Sequence, residues 1–418
     1  MRKIKKTFLF VGLMIMVAAV AFAGGRSSVS TGGKPNILAS RWAGPHADTQ
    51  KRIVQSYPDG NVTIDDVDYG NLKQKQITSF QAVSGSGSYD AVWVDSLWMK
   101  EYVEAGYLMP IDDYIKSAGV DLGIYAKGLL GSCYYNGKLY GLPTFSQTLI
   151  ITYDSDAFAK AGVKVPTNSD ELVEAAKRFK QLGTGIAIPA RQGTASVNLF
   201  SQLLFSSDGD YLDKNGKLAI TSPEAIYAAT IYKQLVDNSV QGCLAWHHDE
   251  VAEAVRMKNA PFGTVMSGLS NQDADPERSL IVNTVKYAPL AGKNGKAAAA
   301  NTFWVWAVPR NAPNPAASVK FISWMTSPDV EKQQTMENQQ VSAISSLSND
   351  KEVLAKAPFL PVVMEQLANG KTEPQSVNFA AFREDLVVAL SEIATTSASP
   401  ADVLGRLQQK YNNTDFSK

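Results

Sequence analysis

Short apolar runs alternate with helical stripes along most of this chain. Pro35 to Ser40, Asn61 to Val67 and Tyr89 to Val94 read as strands, with helices over 45–56 and 72–83 between and after the first two. The third run is apolar at successive positions, as a parallel strand covered on both faces requires. A second series follows, with strands at Leu149–Tyr153, Ile186–Pro189 and Phe262–Met266. Its helices are predicted to Ala161, capped by Asp154 or Asp156, and over 170–182, 195–206, 223–236 and 250–258. Leu172, Val173, Ala176 and Phe179 fall on one face of the helix 170–182. Trp304 to Val308 is strand-like, and 315–326 is a helix that Ser327-Pro328-Asp329 breaks. The remainder reads as helices over 330–337, 359–368, 382–393 and 401–411. Strands alternating with helices imply an α/β sheet protein.

Two segments depart from that rhythm. At the N-terminus, Arg2 to Lys6 is basic, Phe8 to Ala21 is apolar, and Ala21-Phe22-Ala23 has the small-x-small form of a cleavage site. This predicts a secretory signal peptide over 1–23, followed by a Gly/Ser-rich linker over 24–33. No cysteine follows the cleavage site directly, so a lipid anchor is not expected. The second departure is Tyr135-Asn136-Gly137-Lys138-Leu139-Tyr140, a type I′ hairpin signal. Gly141 and Pro143 are expected to end its second strand.

The chain has 418 residues, 40 Lys+Arg and 40 Asp+Glu. Four of the cations sit in the leader, so the body is mildly acidic. That excludes a nucleic-acid footprint and a polybasic membrane patch. The length exceeds one ordinary core and predicts two lobes. Cys133 and Cys243 fall in different lobes and are expected to be buried free thiols.

Three groups of residues carry a family resemblance. They are Tyr89 to Trp98 with Gly106 to Asp112; Tyr135 to Pro143 with Tyr153-Asp154, Phe158 to Gly162 and Pro166-Thr167; and Trp306 to Arg310 with Asn314 to Ala317 and Phe321 to Pro328. In order and spacing they resemble the extracellular solute-binding proteins of ABC importers, the sugar-binding family that includes the maltose-binding proteins. The resemblance implies a two-lobed periplasmic-binding-protein fold of type II, with three interlobe crossings. Lobe one would be 34–145 and 290–327, and lobe two 146–289 and 328–418. The ligand would lie in the cleft between them.

A sugar presents apolar C–H faces and a belt of hydroxyls, so aromatic rings and planar polar groups are the residues to weigh. Arg41 and Trp42 follow the first strand, where ligands of open α/β sheets gather. Arg41 would hydrogen-bond the ligand, and Trp42 would either stack on it or cap the core. Asp95 and Trp98 follow the third strand. Asp95 would accept sugar hydroxyls, or cap the next helix. Gln147 lies at the first crossing, as a ligand contact or as hinge packing. The resemblance makes Trp246 a second stacking wall. Trp304 stands where the family has glycine nearby; it would add a ring to the cleft or alter packing. His247 and His248 are adjacent and point apart, so no metal site is expected.

The expected activity is capture of a sugar outside the cytoplasmic membrane and delivery to an ABC permease by lobe closure. No catalytic residue and no cofactor is expected, and the protein is expected to be a soluble, periplasmic monomer. Two alternatives stay open: a secreted carbohydrate-active hydrolase, or the same fold binding a polyol, an amino compound or a metal.

Overall fold

A computed structural model describes residues 33–43, 46–85, 88–300 and 302–416. The leader and residues 24–32 of the linker lie outside the described residues. The strands are β1 (Asn36–Trp42), β2 (Asn61–Val67), β3 (Ala91–Asp95), β4 (Tyr134–Tyr135), β5 (Lys138–Leu139), β6 (Gly141–Gln147), β7 (Leu149–Asp154), β8 (Ile186–Ala187), β9 (Phe262–Met266), β10 (Val285–Pro289), β11 (Thr302–Ala307) and β12 (Val341–Ser342).

They form two separate sheets besides the hairpin of β4 and β5. The first runs β12-β6-β11-β3-β1-β2, the second β10-β7-β9-β8. β1, β2 and β3 are parallel, and β11 runs antiparallel to β3 with Trp304 opposite Asp95. The C-terminal ends of β1, β2 and β3 and the start of β11 therefore share one edge. In the second sheet β8 and β9 are parallel, and β7 is antiparallel to β9 with Leu149 opposite Met266.

Each sheet is the centre of its own hydrophobic core. One large core is built from residues between Ile37 and Ile150 and between Phe303 and Val363. The other is built from residues between Leu149 and Ala298 and between Phe379 and Phe416. Cys133 belongs to the first and Cys243 to the second, and both are buried free thiols.

The hairpin has the turn its sequence implies, with Asn136 and Gly137 at φ 50° and 74°. Three expectations need correction. Gly141 and Pro143 do not end a strand: they begin β6, whose residues 141–146 are all buried. Gly141 is required there, because a Cβ would lie 2.7 Å from the Trp306 carbonyl oxygen. Residues 290–300 do not join the first core: Leu290 and Ala298 pack in the second. The chain also does not return to the second lobe at Ser327. The helix Pro328–Asn338 and β12 stay with the first sheet, where Val341 and Ser342 pair with β6.

Buried polar groups hold that helix in place. Thr144 Oγ1 donates to Glu331 Oε1 at 2.5 Å, and Gln50 Nε2 donates to Gln334 Oε1 at 2.6 Å. A lone Pro after a polar break could not announce this, because the tie is made by residues far apart in sequence.

The three crossings converge on two buried amides. Gln202 Oε1 accepts from Thr148 Oγ1 at 2.8 Å and from the Leu149 N–H at 3.0 Å, while its Nε2 donates to the Leu149 carbonyl at 2.6 Å. Gln366 Nε2 donates to that same carbonyl at 3.0 Å, and Gln366 Oε1 accepts from the Leu290 N–H at 2.8 Å. The two amides join each other at 3.0 Å. Backbone leaving a sheet loses its ladder partners, and burial makes an unpaired group costly.

Gln366→Leu should therefore cost about 2–4 kcal/mol, since a buried N–H and a buried amide lose partners worth about 1–3 kcal/mol each; denaturant titration reads it. A second test concerns Glu331, whose carboxyl burial pushes from its ordinary 4.5 up to about 7. The folded state then holds a proton that the unfolded chain has released, so this group's contribution falls as pH rises from about 4.5 to about 7. Relative to wild type, Glu331→Gln should gain on the order of 1–3 kcal/mol between pH 5 and pH 8. Equal changes in both proteins would contradict the assignment.

Candidate functional site: the interlobe cleft

The first wall grows from the shared edge of the first sheet. β1 ends on Trp42, the helix after β2 starts at Tyr69, and β3 ends on Asp95 before the short helix Ser96–Trp98. The rings form one connected group. Trp42 and Trp304 stack at 5.5 Å and 9°, and Trp304 stacks on Trp93 at 4.5 Å and 24°. Tyr69 stacks on Trp98 at 5.4 Å and meets Trp42 and Trp304 edge-on. Trp304 is only 2% exposed, so it is the floor beneath Trp42. Trp42 and Trp98 are half-buried, and Tyr69 is 42% exposed.

Asp95 lies within this group and is almost fully buried. Its Oδ1 accepts the Leu97 N–H at 3.0 Å, and its Oδ2 accepts the Tyr69 hydroxyl at 2.9 Å. Burial raises the Asp95 pKa, opposed by these two hydrogen bonds and by Arg383. Asp95 therefore caps the short helix, as one of its two readings has it, while its other oxygen holds the Tyr69 hydroxyl.

The facing wall comes from the second lobe. The helix Val377–Thr395 carries Arg383, whose Nε donates to Glu373 Oε2 at 2.8 Å and whose Nη2 donates to Asn198 Oδ1 at 3.3 Å. Glu373 Oε1 accepts from Ser201 Oγ at 2.6 Å. Burial works against the Arg383 charge, but Glu373 outweighs it and the pKa rises. Asn198 Nδ2 also reaches His248 Nε2 at 3.4 Å, and burial depresses that imidazole to about 3, so it is neutral. Tyr69 and Trp98 from one lobe and Glu373, Gln375 and Arg383 from the other enclose a cavity of about 250 Å³.

Direct contacts hold the two walls together. Gln375 Nε2 donates to the Ser96 carbonyl at 2.9 Å, and the Tyr135 hydroxyl donates to Gln375 Oε1. On the hinge side, Gln339 Nε2 reaches the Asn271 carbonyl at 3.4 Å.

The structure thus groups Trp42, Asp95, Trp98 and Trp304 of the expected site residues. Arg41 is a correction: it is 0% exposed and points inward. Its guanidinium bonds Gln50 Oε1 and the carbonyls of Trp42 and His46, and lies 4.7 Å over the Trp93 ring. It supports the wall from behind. Gln147 is half-buried against Gly268, where an added Cβ would come within 2.8 Å of its Oε1. Trp246 is half-buried in the second lobe, packed on Gly242, and makes no ring contact with the first-lobe group. Among the described residues no cluster of His, Cys, Asp and Glu could hold a metal.

Tyr69, Glu373, Gln375 and Arg383 are absent from the sequence expectations. One signal existed for Arg383: it follows Phe379 by four on a helix whose buried face is Phe379, Phe382 and Leu386. A charge on the rim of such a face asks for a partner.

Comparison with known proteins agrees with this architecture. A family described as bacterial extracellular solute-binding protein matches residues 43–332. A relative from Sinorhizobium fredii, the "Probable amino-acid ABC transporter periplasmic-binding protein y4oP", is 23% identical over 84% of each chain. Maltose-bound MalE3 of T. maritima has a TM-score of 0.79 at 22% identity, covering 90% of this chain and 98% of its own. A ribitol-bound ABC transporter solute-binding protein from Agrobacterium radiobacter has a TM-score of 0.77 at 24% identity, with the same coverage. Two lobes, crossings tied at one junction, a walled cleft and a family match over most of the chain lead to one conclusion: this chain belongs to the bacterial extracellular solute-binding protein family.

Proposed function

We propose that the chain captures a small polyhydroxylated solute, a sugar or polyol, between its lobes. It would then present the closed form to the permease of an ABC importer. The observation that carries this is the make-up of the cleft: exposed ring surface of Tyr69 and Trp98 faces the polar groups of Gln375, Glu373 and Arg383. C–H faces pack on such rings, and hydroxyls both donate to carboxylates and accept from a guanidinium. The structural neighbours bound to maltose and ribitol support the same chemistry. Trp42 extends the ring surface, with Trp304 as its backing. Asp95 is buried behind Tyr69 and fixes its hydroxyl at the edge of that surface. The N-terminal leader implies action outside the cytoplasm, as a processed protein.

A binder fits this cleft better than a hydrolase. Glycoside hydrolysis needs one carboxyl free to protonate the leaving oxygen and another free to attack or activate water. Here both oxygens of Asp95 and of Glu373 accept hydrogen bonds from protein groups, and Glu101 and Glu104 are paired with lysines. Among the described residues that leaves Glu384 as a single unpaired carboxylate at the cavity rather than the pair this chemistry needs.

Closure follows differential affinity: a solute held by both walls lowers the free energy of the closed state more than that of the open one. The test is a thermal-stability scan of the purified, ligand-stripped protein against sugars, oligosaccharides and polyols. A true ligand at 100 times its dissociation constant adds about 2.7 kcal/mol. It should be recovered chemically unchanged, and Trp98→Ala should weaken it roughly tenfold through the lost stacking. Consumption of the sugar would show a hydrolase, and a shift only with amino acids would replace the solute class.

A further inference from the structure

The charges around the cavity are not balanced. Lys73 is paired with Glu101 at 2.6 Å and Lys100 with Glu104 at 3.7 Å, so the lobe-one rim is neutral. On the lobe-two wall Arg383 is paired with Glu373 at 2.8 Å. That leaves Glu384, which lines the cavity and has no cationic partner among the described residues. Behind Tyr69 lies Asp95, whose hydrogen-bond partners are a hydroxyl and a backbone N–H, both neutral.

Glu373 weakens what Arg383 offers to an incoming anion. A carboxylate or phosphate binds guanidinium best through two parallel N–H groups. The Nε–Nη2 edge of Arg383, one of the forks that could do so, is taken by Glu373 and Asn198. Glu373 is itself fixed from behind by Ser201, and it is 7% exposed. Its charge therefore stays beside Arg383 rather than swinging into solvent. Among the described residues Nη1 of Arg383 has no partner, and the fixed Glu373 charge beside it lowers its pull on an anion more than on a neutral hydroxyl.

We infer that Glu373, acting as a positioning residue on Arg383, together with Glu384 makes the cleft a charge filter: it accepts uncharged or cationic polyhydroxylated solutes and rejects their anionic counterparts. This rests on the polyhydroxyl reading of the cleft and narrows its solute class. It places the discrimination on repulsion as much as on attraction, which is how closely related ligands of one shape are separated.

The experiment is calorimetric titration at low ionic strength, where charge effects are least screened. Matched sets in the gluco, galacto and manno series are used: the neutral hexose, its 2-amino sugar, its uronic acid and its 6-phosphate. In any series whose neutral member binds, the uronate and the phosphate should bind at least roughly tenfold more weakly, while the amino sugar holds its affinity. Glu373→Gln should narrow the gap between neutral sugar and uronate several-fold by freeing Arg383. Glu384→Gln, at an exposed position with no partner to lose, should narrow it too without threatening the fold. Added salt should narrow the gap in wild type and have less effect in either variant. An anionic member that binds as tightly as its neutral partner overturns the filter and leaves the sugar reading standing. A gap unchanged in both variants overturns the roles of Glu373 and Glu384. If the stability scan identifies an oligosaccharide or polyol instead, its own amino and acidic derivatives replace the hexose sets. If neither the scan nor any series gives binding, the polyhydroxyl reading itself falls, and the filter with it.

Discussion

A chain that passes between two sheets three times must bury backbone groups that lack a ladder partner. The amides of Gln202 and Gln366 meet that constraint. They satisfy Leu149 on both its N–H and its carbonyl, and they satisfy the Leu290 N–H. The Gln366 carbonyl also accepts from Ala299 at 2.9 Å. All three crossings are thereby held within one junction. Two sheets joined at one junction can change their relative angle while each core keeps its packing, which is the physical content of a hinge.

The cleft walls follow from strand direction. Parallel β1, β2 and β3 all end on one edge, so the residues that follow them gather there although they are far apart in the chain. Trp42, Tyr69 and Asp95 meet for that reason alone. β11 runs the other way, and its register puts Trp304 beside Asp95. The tryptophan stack beneath makes the wall stiff: Trp93, Trp304 and Trp42 lie ring on ring, and the Arg41 guanidinium sits over Trp93. A stiff apolar wall and a tethered polar wall make a surface that needs little further ordering to be filled.

The polar groups inside the protein have different roles in the two places. Glu331 ties its helix to β6 and Gln334 ties it to the helix carrying Gln50, and none of the three lines the cavity. Glu373 and Arg383 are also buried polar partners, but they sit just before and within the first turns of the helix Val377–Thr395, which begins at the cavity. Composition does not separate the two cases.

Much of the fold was legible along the chain. Apolar runs and helical stripes placed β1, β2, β3, β7, β9 and most long helices, because a side-chain period of two or 3.6 is a local property. Asn136-Gly137 announced its turn, since only a few residues accept positive φ. The motifs quoted at the outset named the family. What the chain could not declare was which lobe the segment 328–363 joins, because Thr144–Glu331 and β6–β12 contacts span nearly two hundred residues. Nor could it show that Arg41 turns inward while Trp42, its neighbour, turns to the cleft. Alternation on a strand says that the two point to opposite sides, but only the covering helices decide which side is core. Tyr69, Gln375 and Arg383 stand in no recognisable motif. They line one cavity solely because two lobes, built on separate cores, bring them together.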